Sequence, residues 1–83
     1  MDYTLTGHAR QRKNEYRISE KLIQEELDKP THISYDTHEH VMVKKLYHRS
    51  GSPHVLIIVG VEESSVFRII TLITSSKIKK YLK

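Results

Sequence analysis

Thr6-Gly7-His8-Ala9-Arg10-Gln11-Arg12, followed by Glu15 and then by Ile18-Ser19-Glu20, is the stretch that sets the reading of this chain. A helix laid on it carries Leu5, Ala9, Arg12 and Tyr16 on one stripe, because residues three and four apart share a face. Arg12 then falls on the side that ought to be apolar. His8 falls one turn before it, beside the helix N-terminus. A histidine, an arginine and free helix N–H groups meeting at one edge suit an anion such as a phosphodiester.

Outward from this stretch, Thr6 is a natural cap for the first helix, which is expected to run to about residue 15. Tyr16-Arg17 makes a tight connection. Ser19 caps a second helix, with Ile18 before the cap and Ile23 at the fourth helical position as a hydrophobic staple. Leu22, Ile23, Glu26 and Leu27 give its stripe, and Pro30 ends it. The remainder reads as strands at residues 31–35, 41–49, 55–61 and 66–74, separated by polar turns at 36–39, 50–53 and 62–65. Turns this short make neighbours antiparallel, so the four strands form a meander. Ser75 or Ser76 is placed to cap a short basic helix at 77–83. The expectation is therefore a single α+β domain over residues 1–83: two N-terminal helices on a four-stranded antiparallel sheet, with a short C-terminal helix. The last two strands are apolar on both faces, so both faces need cover. The two helices cover one, and only the C-terminal segment remains for the other. An apolar patch left there suits a partner protein or a second copy, a homo-oligomer.

The chain has 83 residues, no cysteine and a net charge of +4. A domain this size buries only about 60–65% of its unfolded surface, so its stability is modest. Without cysteine there is no disulfide or thiolate metal site, which fits a reducing, cytoplasmic setting. The apolar run at 55–59 is too short to span a bilayer, and Met1-Asp2-Tyr3-Thr4 does not begin a signal peptide, so no membrane partner is expected. The charge is bipolar. Arg10, Arg12, Lys13 and Arg17 crowd the first helix, and Lys77, Lys79, Lys80 and Lys83 the tail, while Glu20, Glu25, Glu26 and Asp28 fall on the second helix. The excess of cations favours nucleic acid or an acidic protein as partner.

The order helix, helix, antiparallel sheet, short helix resembles the RelE/ParE-like toxin folds. The opening His8-Ala9-Arg10-Gln11-Arg12-Lys13-Asn14-Glu15-Tyr16-Arg17-Ile18-Ser19 is similar to the pattern H-A-x-x-R-x-x-E-R-G-I-S of the bacterial DUF4258 family. Arg68-Ile69-Ile70-Thr71, followed by the basic segment from Lys77 to Tyr81, resembles the C-terminal strand and helix of BrnT-type ribonuclease toxins. Two positions depart from the pattern: Tyr16 stands for arginine and Arg17 for glycine, so the easy left-handed conformation between the helices is lost. The resemblance implies a metal-independent endoribonuclease of a toxin–antitoxin pair, with RNA as substrate, an acidic antitoxin-like protein as partner and no cofactor. The ribose 2′-oxygen attacks the adjacent phosphorus, and the protein supplies proton transfer, worth about 10²–10⁴-fold, and positive charge.

In that scheme His8 is the acid or base and Arg12 clamps the phosphate. The plain alternative is that Arg12 pairs with Glu15 or Glu26 and fixes helix packing, while His8 supports the cap. Arg17, Lys44, Lys45, Arg68 and Thr71 are candidates for a basic, RNA-lining face. Lys45 interrupts the alternation Val41, Val43, Tyr47, and Arg68 interrupts Val66, Ile70, Leu72, although both can also snorkel to solvent along their aliphatic stems. Tyr47 and Tyr81 are candidates to stack on bases, or simply to pack. His38-Glu39-His40, with His32 from the paired strand, matches no closed four-ligand metal pattern and reads as a polar loop, so no metal is assigned. The competing function is a non-catalytic module of the same fold that binds a protein partner or nucleic acid. The catalytic reading depends on His8 and Arg12 converging on one pocket open to solvent.

Overall fold

Both N-terminal helices start where a hydroxyl can satisfy a free helix N–H. Thr6 is extended (φ −67°, ψ 166°), and its side chain accepts the Ala9 N–H at 3.1 Å to open α1 (Gly7–Glu15). Ser19 does the same for α2 (Glu20–Asp28), accepting the Leu22 N–H at 3.1 Å. Ile18 and Ile23, the two halves of the expected staple, are both buried. The computed structural model describes residues 2–36 and 38–82. Thr37 of the expected turn at 36–39 and Lys83 of the expected helix at 77–83 lie outside the described residues.

The strands are β1 (Asp2–Leu5), β2 (His32–Tyr35), β3 (Val41–Arg49), β4 (Ser52–Glu63) and β5 (Val66–Ser75), and the tail forms α3 (Ile78–Tyr81). β2 to β5 make the expected antiparallel meander. The sheet is larger than the sequence reading, however: β1 adds a fifth strand parallel to β5, giving the order β1-β5-β4-β3-β2. Leu5, assigned above to the helical stripe, lies in this strand opposite Ile69. α1 consequently has little apolar stripe of its own, with Ala9 its one buried residue. It is held instead by its cap and by its seat against β5.

One face of the sheet, under α1 and α2, carries the main core: Ala9, Ile18, Ile23, Val41, Val43, Leu56, Ile58, Phe67, Ile69 and Leu72. A bulge between Val59 and Gly60 inserts Ile70 as an extra residue in β5, since Val59 pairs with Thr71 and Gly60 with Ile69. The phase of β5 therefore changes: Leu72 points to the core, but so do Ile69 and Phe67. That overturns the reading of Arg68 as a cation within a buried alternation; Arg68 is exposed and pairs with Glu63 at 3.4 Å. Gly60 has no side chain because a Cβ there would run into the Arg68 carbonyl and lie 2.8 Å from Phe67 Cζ. On the opposite face, Val55 and Ile57 are completely covered, with α3 lying against β4. Leu46 and Ile73 on the same face are exposed.

Candidate nucleic-acid interface

The chain rises from α1 into α2 through an elbow that needs a residue of positive φ. Arg17 supplies it at φ 54°, a conformation that glycine adopts more easily. Arg49, the last residue of β3, locks this elbow. Its Nη2 donates to the Tyr16 carbonyl at 2.7 Å and to the Arg17 carbonyl at 3.1 Å. These neutral carbonyl acceptors fix the position of the guanidinium. Around it opens a cleft of about 460 Å³ lined by Arg17, Ser19, Lys21, Leu22, Glu25, Tyr47, His48 and Arg49. Three cations and a histidine face a single carboxylate there. Tyr47 is held by a 2.6 Å bond between its hydroxyl and Thr74 Oγ1. Its ring stands 5.8 Å from that of His54. A concave cationic surface with an aromatic wall is suited to a phosphate-bearing single strand.

The other candidates are distributed differently. His8 is exposed, and its Nε2 lies 3.1 Å from Thr71 Oγ1, which joins two residues named from the sequence and separated by 63 positions. This contact forms where β1 ends: Thr6 N–H donates to the Ile69 carbonyl at 3.0 Å and its hydroxyl to the Ile70 carbonyl at 3.0 Å, so α1 begins at the rim of β5. Arg12 is turned to the other end of its helix. Its Nη1 donates to Tyr16 Oη at 3.3 Å and lies 3.5 Å from Glu15 Oε2, with the guanidinium over the Tyr16 ring at 5.9 Å. A carboxylate thus already holds the guanidinium, and the contacts of His8 and Arg12 are separate sets.

Lys44 and Lys45 are successive strand residues and so point to opposite faces. Lys45 lies under α2, where its Nζ donates to the Lys29 carbonyl at 3.0 Å, a cation on the helix C-terminus. Lys44 is on the other face, paired with His32 and Ile57. Arg17 therefore belongs to the cleft, Thr71 to the His8 contact, and Lys44, Lys45 and Arg68 to neither. The sequence reading did not single out Lys21 or Arg49. Arg49 continues the alternation Val41, Val43, Lys45, Tyr47, and that parity was the available signal; Lys21 is visible only once the elbow meets the end of β3.

In the polar loop, Asp36 accepts the backbone N–H groups of His38 and His40 at 2.8 and 2.9 Å and contacts His40 Nδ1 at 2.9 Å. The His40 backbone donor is the main reason its carboxyl titrates below the usual range. Among the described residues, no group of three or more His, Asp or Glu side chains is placed to share a metal ion. No helix among them is long and apolar enough to cross a membrane. Compared with known proteins, the chain matches no family model, no curated protein and no solved structure.

Proposed function

We propose that this chain is a non-catalytic RNA-binding domain whose site is the cleft at the α1–α2 elbow. The observation that carries this reading is the gathering of Arg17, Lys21, His48 and Arg49 with Tyr47 around one concavity. The net charge of +4 supports it. Phosphates contact the cations, and a base lies on the tyrosine.

Fluorescence anisotropy with a labelled single-stranded RNA tests the proposal. Binding is expected at low salt and weakens linearly in log–log form as salt rises, because counterions are released. Lys21→Gln is expected to lower affinity and to reduce the magnitude of the salt slope by about one. Arg68→Gln, at a position outside the cleft, is expected to bind like the parent. No binding at low salt, or equal loss in both variants, contradicts the assignment.

A second reading, a toxin-like metal-independent endoribonuclease, is favoured by the His8–Thr71 contact, which brings a proton-transfer group beside a hydroxyl at an exposed edge. It predicts RNA fragments ending in cyclic phosphate, formed in the presence of chelator and lost in His8→Ala. An acidic antitoxin-like partner belongs to this second reading.

A further inference from the structure

The strand order leaves β2 at one rim of the sheet. The Asp36 N–H donates to the His40 carbonyl at 3.1 Å, which fixes which residues of this strand bond to β3. By the alternation of an antiparallel ladder, the backbone groups of His32 and Ser34 turn inward, and those of Ile33 and Tyr35 turn outward. The same two residues, opposite Val43 and Val41, carry apolar side chains that are 46% and 71% exposed. An apolar cavity lies alongside, lined in part by Leu27, Val43 and Phe67. The rim is therefore a free strand edge with an apolar flank, the kind of feature that recruits another strand.

The charges at its two ends decide which strand. Before β2 stands Lys29, and Lys44 is paired with its first residue, His32. After it, Asp36, Glu39 and Glu62 line one cleft with Tyr35. An antiparallel copy of the same strand sets the basic end of each against the acidic end of the other. We propose that β2 pairs with β2 of a second copy of this chain, antiparallel about a two-fold axis at Ser34. Ile33 then stands opposite the partner's Tyr35, and Tyr35 opposite the partner's Ile33. Both are outward-bonding positions, and both form aromatic–β-branched pairs. His32 meets the partner's Asp36. Such an interface uses one patch twice and closes, whereas pairing β2 with β1 of the next copy runs on into a filament. The inference is independent of the RNA reading, because β2 pairs with residues 41–44 of β3 and the cleft is built on residues 47–49.

The chain has no cysteine, so an introduced thiol is unique. In the proposed register Ser34 faces its own copy in a non-hydrogen-bonded pair, at a Cα separation of about 4.5 Å, within disulfide reach. Two copies of residue 32 are four positions apart along the strands, about 14 Å, and out of reach. Mild oxidation is expected to convert Ser34→Cys into a disulfide-linked dimer on a non-reducing gel and to leave His32→Cys monomeric. Sedimentation equilibrium of the unmodified chain is expected to give a mass approaching twice 9.8 kDa as concentration rises. Ile33→Pro removes an outward N–H and spares the β3 ladder. It is expected to stay monomeric with an unchanged far-ultraviolet circular dichroism spectrum. A monomer at all concentrations overturns the proposal and leaves the rim to a foreign strand. Equal cross-linking of both cysteine variants, or a folded Ile33→Pro dimer, overturns the register.

Discussion

Glu26 gives this domain a pH-dependent contribution to stability from a single residue. It lies on α2 facing the sheet, has no exposed surface, and neither carboxyl oxygen has a hydrogen-bond partner among the described residues. Burial pushes its pKa from 4.5 up to about 9, against the opposing pull of the nearby Lys45 charge. The folded protein keeps a proton that the unfolded chain releases, so the folded state binds more protons between these two values. The contribution of this group to stability is thus fully present below the lower value and is lost as pH rises toward the upper one. Glu26→Leu is expected to flatten this slope and to raise stability at pH 7 by about 1–3 kcal/mol, since it removes an unsatisfied buried polar group. Urea unfolding of both proteins at pH 5, 7 and 9 checks it; parallel pH profiles contradict it.

At the scale of elements, the α1–α2 elbow depends on a residue distant in sequence. Arg49 holds the Tyr16 and Arg17 carbonyls, and Arg17 itself bears a positive φ. Arg49→Met keeps much of the aliphatic stem and removes both bonds. It is expected to cost about 1.5–3 kcal/mol, the range for hydrogen bonds to a charged group, and to speed amide exchange at residues 16–18. Unaltered exchange there contradicts the clamp. What could be read locally was read: Thr6 and Ser19 cap their helices, and the short turns give the antiparallel meander. The fifth strand could not be read, because four residues carry too little alternation and their parallel pairing to β5 spans the chain. Nor could the bulge at Val59 and Gly60, which changes the phase of β5 and takes Arg68 off the core-facing series. Of the site, Arg17 and Tyr47 were legible. Lys21 and Arg49 were not singled out, because only the packing of the elbow on the end of β3 brings them together.

For the whole molecule, the same fold carries opposite charge at different places. Cations gather at the elbow cleft, and carboxylates gather at the end of β2. This separation lets one face take an anionic chain while the free rim pairs with a copy of itself. The central claim is that RNA occupies the elbow cleft, and it is tested most directly by titrating isotopically labelled protein with a short single-stranded RNA at low salt and following the backbone amide signals. The expected result is that the largest shifts fall at Arg17, Lys21, His48 and Arg49. Shifts that gather instead at His8, Arg12 and Thr71 contradict it and put the RNA at the rim of β5.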